Sequence, residues 1–574
     1  TFTRLDAVGN PLTIQPRNFI CGYVPQRGEP GAPVISRETS LFPAIMYRDR
    51  NGTSPSGPLL GPQPYVLINE LLVKADEFIG VNVPDLDGFG MKRDQIRLSL
   101  NTDYELPSGY SASVLAGWND TRMNTMGDHD FSDTQSWYSA DPKFGRDWSI
   151  EARISSPQHR RLRGMIGATY YDQEFITSGS GGLTVSACSN TSCLAGPLVT
   201  TTPASNGNVA EVMGVFGSVS FDILRNLTLD IEGRYAEDKR SVIQTGASFS
   251  STFKQTTPRV ILTYKPADET TLYAQVSRGA LPGVTNGLVS TCSDQTFTVP
   301  YANPLTGQLS TASECEQISA QLTADQYKGA TDSQELDAYE IGWKQTLFDR
   351  RLSFNVNAWY YEWKNRPYGL SVRWVRDSED PALRDGIPNA FANGLGVSVA
   401  GGQKLWGSEL ETALAITDRW EAQLSAAWTD NEFGSFFDRN LQTQFGFINL
   451  SGLKAARTPK WQGNLSTTYR APLRQTDWTW YMRGDAAYSG EYWADGANLA
   501  RAQDYVLVNG RIGVQRDDLR LELFVRNLLQ EDAWATVDEK SDFTVQGIVG
   551  GWPRGIAVVP QEKRTFGLRA VINF

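Results

Sequence analysis

Long apolar runs are missing from this 574-residue chain. A membrane-crossing helix needs roughly 18 or more consecutive apolar residues. The strongest run here, YVLINELLV (65–73), is already broken by Asn69 and Glu70. Helical insertion is therefore excluded. Histidine is scarce as well, with only His129 and His159. There is no CxxC, no GxSxG elbow, no P-loop, and no GxGxxG between a strand and a helix. His129 stands between Asp128 and Asp130, but one imidazole in a loop-like stretch reads as a solvated residue rather than a metal site. Enzymatic function is rejected, and no cofactor is implied. Basic clusters are absent beyond HRRLR (159–163), and the net charge is -11, so the phosphate-neutralising surface of a nucleic-acid binder is lacking.

Cysteines number five: Cys21, Cys188, Cys193, Cys292 and Cys315. All lie in loop-like stretches. The closeness in sequence of Cys188 to Cys193 and of Cys292 to Cys315 fits local disulfides in an oxidising compartment, with Cys21 left over. What the chain does have is aromatics: 16 Trp, 22 Tyr and 25 Phe, against a hydrophobic fraction of 40%. That combination is rich in interface residues and poor in continuous core.

The apolar residues recur with period two. In LSFNVNAWYYEW (352–363) Leu352, Phe354, Val356, Ala358 and Tyr360 alternate with Ser353, Asn355, Asn357, Trp359 and Tyr361. Side chains of a strand point alternately to its two faces, so one face is apolar and the other polar or aromatic. The same alternation runs through DQIRLSLNTDY (94–104), RWEAQLSAAW (419–428), YVLVNGRIGVQ (505–515) and DLRLELFVR (518–526).

Connections alternate too. Tight turns such as FDRR (348–351), TD (417–418) and RDD (516–518) are each followed, one strand later, by long polar loops such as 176–209, 280–334, 365–402 and 431–457. Short turns at one end and long loops at the other are the plan of an outer-membrane barrel; a soluble sandwich needs neither such long strands nor such segregated loops. About 17 strands of spanning length fit between 94 and 574. With the C-terminus periplasmic, an odd count puts residues 1–93 outside the cell as a long extracellular loop region, and implies that sequence preceding Thr1 is missing.

Several stretches, in order, resemble the barrel of the TonB-dependent outer-membrane receptors, in particular the iron-complex receptor branch. They are TTLYAQVSRGALPGVTNG (270–287) with Pro282 and Gly283, ELDAYEIGWKQTLFDRRLSFNVNAWYYEWKN (335–365), ARTPKWQGNLSTTY (456–469), LELFVRNLLQEDAW (521–534) with Asn527 and Leu528, and the ending KRTFGLRAVINF (563–574). The resemblance implies an all-β transmembrane antiparallel barrel of 22 strands. About 17 of these lie in 94–574, which is the C-terminal part of the barrel, and the plug domain and TonB-gripping box are absent from the sequence.

The implied function is energised uptake of a scarce nutrient, a ferric siderophore or similar iron complex; the alternative is a passive channel or structural barrel. The implied partners are outer-membrane lipid, the TonB energy-transducing complex through the missing N-terminal part, the barrel assembly machinery and the small-molecule ligand. Phe566 and the terminal Phe574 read as the assembly signal. Topology makes Trp359, Tyr361 and Trp363 at the top of one strand, Tyr368, Arg373 and Trp374 after it, and Tyr492, Trp493 and Trp534 in later loops the candidate ligand-binding residues of the upper lumen and extracellular loops.

Overall fold

The computed structural model describes residues 2–5, 11–14, 21–33, 81–84, 90–128, 138–140, 142–177, 183–185, 206–244, 247–287, 301–302, 309–310, 313–320, 326–374, 393–436, 449–541 and 554–572, with single positions at 289, 292, 322 and 324. His129, Cys188, Cys193 and Phe574 lie outside the described residues, as do the side chains of Arg373 and Trp374.

A 19-stranded sheet makes the wall of the molecule. Two of its strands, Tyr138–Ala140 and Leu183–Val185, have three residues each. The others are β1 (Gly90–Glu105), β2 (Ser111–Asp128), β3 (Lys143–Ser155), β4 (Leu162–Thr177), β5 (Asn206–Leu224), β6 (Leu227–Gln244), β7 (Ala247–Ala267), β8 (Thr270–Leu281), β9 (Gln334–Leu347), β10 (Leu352–Trp374), β11 (Asn393–Thr417), β12 (Trp420–Phe433), β13 (Trp461–Pro472), β14 (Thr479–Ser489), β15 (Tyr505–Arg516), β16 (Leu519–Arg526) and β17 (Thr565–Ile572). Each registers antiparallel with the next in chain order. This is the transmembrane barrel wall that the period-two pattern predicts.

The convex face is apolar. Across β9 and β10, Tyr339 pairs with Tyr360, Ile341 with Ala358 and Trp343 with Val356, and Ile341 remains 62% exposed. Water would not tolerate such a surface; lipid does. Aromatics bound the band at two heights. Tyr339, Tyr360, Trp428 and Trp461 lie toward the long connections, with Tyr339–Tyr360 and Trp428–Trp461 centroids each 6.3 Å apart. Tyr469 and Trp480 lie toward the tight turns, 5.4 Å apart. Above the upper row the same face turns charged: Asp337 pairs with Arg278 at 2.6 Å and Lys364 at 2.9 Å, and Glu362 registers with Asp337 and Lys404. Glu362 therefore sits where the apolar band ends.

The concave face is polar. Asn355, Glu411, Gln423, Asn464, Arg483 and Asp485, from successive strands, line a recess of about 600 Å³. Large inward rings need room, and glycines on the neighbouring strand supply it. Phe216 registers with Gly167, Tyr273 with Gly342, Trp359 with Gly407, Tyr481 with Gly513 and Phe524 with Gly567. In each pair a Cβ on the glycine would stand under 3.0 Å from the ring. The glycine lets the ring lie flat on the sheet.

One expected loop proves to be partly strand. The pairing of β10 with β11 continues to Trp374↔Asn393, inside the span 365–402. Polar side chains do not stop a ladder whose backbone groups still need partners. The expected loop 280–334 contains a one-turn helix, α1 (Glu314–Ser319), closed by a capping box between Ser313 and Glu316.

A buried apolar cluster lies not in the wall but over its long-loop end. Val24, Ala494, Ala500, Ala502, Trp534, Val537 and Ile556 are buried together. The segment Gly22–Tyr23 pairs in parallel with Ala500–Ala502, which fastens residues 21–33 to the later loops.

Candidate functional site

Two levels of the lumen collect aromatic and charged side chains. At the lower level Trp359 and Tyr361, two residues apart on β10, stack with centroids 4.5 Å apart and planes 21° from parallel. Opposite them on β9 are Glu340 and Ala338. Glu340 accepts hydrogen bonds from the Tyr273 hydroxyl and, at 2.9 Å, from Gln275 Nε2. On β11, Glu409 accepts from Asn357 Nδ2 at 3.3 Å. The result is an aromatic platform rimmed by carboxylates. It offers ring faces for an apolar or planar body and acceptors for hydroxyl or cationic groups.

At the upper level a bulge between Trp363 and Arg366 brings Arg366 opposite Gly401 and Tyr368 opposite Val399. Asn365 takes φ 54° there, a conformation that asparagine tolerates better than most residues. The Arg366 guanidinium lies over the Trp363 ring at 5.3 Å and the Phe433 ring at 5.8 Å. Tyr368 stacks on Phe436 at 3.7 Å. A roof covers this level: Asn286 bridges to both the N–H and the carbonyl of Ser398, Gln326 donates to the Tyr368 hydroxyl at 3.3 Å, and Ile318 and Leu322 pack on Val399. The Cys292–Cys315 disulfide, with Cα atoms 5.1 Å apart, ties that roof together. Cys21 is free and exposed.

The nine candidate residues thus separate. Trp359, Tyr361, Trp363 and Tyr368 share the β10 face of the lumen. Arg373 and Trp374 continue the same strand, paired with Gly394 and Asn393. Of the remaining three, Trp534 is in the outer cluster, Tyr492 packs against it and Trp493 pairs with Arg501 beside it. Trp534 is 5% exposed and donates its indole N–H to the Pro25 carbonyl at 2.8 Å. Burial pushes the Tyr492 phenol above its ordinary range, and its oxygen accepts from Val537 N at 2.9 Å. Trp493 lies under the Arg501 guanidinium at 4.4 Å. Trp534 is packing, a role that its sequence neighbourhood could not disclose because its partner is residue 25. Trp534→Ala is expected to cost about 3–5 kcal/mol at this cluster. Limited trypsinolysis checks it: cleavage at Arg27 should quicken while the folded barrel keeps its heat-modifiable mobility on gels.

Residues 40–528 match the family described as TonB dependent receptor-like, β-barrel. The chain belongs to that family. Among solved structures, this TonB-dependent receptor barrel is similar to three named receptors. The ferric yersiniabactin uptake receptor FyuA of Yersinia pestis shares 14% identity at a TM-score of 0.58, over 86% of this chain and 63% of that one. The siderophore receptor PiuA of Acinetobacter baumannii shares 16% at 0.56, over 84% and 64%. The ferric-catecholate import receptor Fiu of E. coli K12 shares 13% at 0.54, over 86% and 66%. At these identities the likeness shows the fold. The chain spans less than two thirds of the length of each. A comparison with curated proteins returns no match.

Proposed function

We propose that this chain forms the barrel of an outer-membrane receptor that takes up a ferric siderophore or similar iron complex, energised through the TonB complex. The observation that carries the reading is the family match over residues 40–528. The names of the similar structures support the iron-complex branch, since they are siderophore and ferric-complex receptors. In this reading outer-membrane lipid covers the apolar band, the barrel assembly machinery inserts it with Phe566 and Phe574 as the assembly signal, and 94–574 is barrel. Residues 1–93 are extracellular, which the docking of 21–33 on the long-loop end supports.

Trp359 and Tyr361 supply the ligand platform, with Trp363 and Tyr368 above them. The test is uptake of ferric siderophores by cells under iron limitation. Expression should rise strongly on iron starvation, and Trp359→Ala with Tyr361→Ala should lower uptake roughly tenfold or more at unchanged levels of folded barrel. Iron-independent expression with no ferric ligand taken up would overturn the iron reading and point to sugars, cobalamin or aromatic compounds.

A further inference from the structure

Most inward arginines of the wall have a carboxylate. Arg483 and Arg511 meet Asp485 at 2.7 and 3.2 Å, and Arg569 meets Glu522 at 3.3 Å. Arg366 differs. It is half-buried, and among the described residues it has neither an ion pair nor a hydrogen-bond acceptor. What holds it is aromatic: the rings of Trp363 and Phe433 beneath the guanidinium. A guanidinium whose neighbours are aromatic rings finds no oxygen acceptor in them, so its five N–H donors stay free for a hydrogen-bonding partner. Removing a cation from water without an acceptor costs free energy. A structure that retains one at the mouth of a polar lumen, under a disulfide-tied roof, keeps it for an incoming acceptor.

We infer that Arg366 is the recognition point for a carboxylate on the transported ligand. This rests on the receptor reading above and names the chemistry that such a ligand carries. The fork of the guanidinium matches a carboxylate with two parallel hydrogen bonds in one plane. Rings alongside the guanidinium favour a flat anion that continues its plane over a tetrahedral one. The carboxylate-rimmed level below, with Glu340 and Glu409, repels the same anion. The ligand's carboxylate therefore stays at Arg366 while its neutral or hydroxyl-bearing body reaches down to Trp359 and Tyr361.

The test uses the full chain in detergent micelles and three small probes: benzoate, uncharged methyl benzoate and tetrahedral phenylphosphonate, with binding followed by saturation-transfer NMR. Benzoate should bind best, and Arg366→Gln should weaken it about tenfold or more without changing the response to methyl benzoate. Arg366→Lys, which keeps the charge and loses the fork, should fall between, and it serves as the reading if the Gln variant does not give a heat-modifiable barrel. Three results each overturn the assignment: benzoate binding that ignores both substitutions, methyl benzoate binding as well as benzoate, or phenylphosphonate binding better than benzoate. Failure of cells to take up any ferric ligand, with Arg366-dependent benzoate binding intact, would sink the receptor reading and leave the carboxylate site standing.

Discussion

Gly407→Ala is expected to destabilise the folded barrel by about 1–3 kcal/mol and to displace the Trp359 ring. A Cβ at this position would clash with the Trp428 carbonyl oxygen and stand 2.6 Å from the Trp359 ring. The carbonyl belongs to the neighbouring strand and cannot rotate away as a side-chain end could. The ring can move, but only by losing its place beside Tyr361. Urea unfolding in micelles should show the stability loss, and the tryptophan emission of the folded state should shift. Trp359→Ala in the Gly407→Ala background should recover little, because the backbone contact persists. At Gly342 the comparison reverses: the three nearest atoms all belong to the Tyr273 side chain, so Gly342→Ala should be relieved in large part by Tyr273→Ala. Equal rescue at both sites would contradict this account.

Ile341→Arg should cost about 2–4 kcal/mol in lipid vesicles. Ile341 lies near mid-height of the apolar band, between Tyr339 and Trp343 on its own strand and opposite Ala358 on β10. An arginine there has no carboxylate on its face within one residue pair, and the charged row at Asp337 is two rungs higher. The same substitution at Glu340, one residue along and facing the lumen, places the charge in a wetted cavity. It should leave assembly largely intact while removing the acceptor for Tyr273 and Gln275. The yield of heat-modifiable protein in outer-membrane fractions separates the two. If Ile341→Arg assembled as well as Glu340→Arg, the assignment of the faces would be wrong.

Much of the wall was legible because alternation is a local property. Once a stretch such as Leu352 to Tyr361 is a strand, odd and even residues part to opposite sides whatever lies beyond. Trp359 and Tyr361 could thus be told from Tyr360 before any contact was known, and Tyr360 does pair outward with Tyr339 while the other two stack in the lumen. The cysteine spacing likewise anticipated the Cys292–Cys315 bond.

Arg366 shows where the local rule ends. Strict alternation from Tyr360 through Glu362 and Lys364 would turn it outward. The extra residue between Trp363 and Arg366 reverses the parity and sets it in the lumen beside Gly401. Asn365 and Pro367 were the available signals, since such residues are uncommon inside a regular strand. They announce an irregularity without giving its direction. The fate of Trp534 was still less accessible, because its hydrogen bond reaches Pro25 across 509 positions. The sequence by itself determined the strands, their two faces and the family, because these follow from period two and from short ordered motifs. Only the tertiary structure decided which aromatics stack in the lumen and which are buried at the outer cluster, and that Arg366 sits against rings with no carboxylate among the described residues. Those outcomes depend on register, on one bulge and on contacts between residues far apart in the chain, none of which a local pattern encodes.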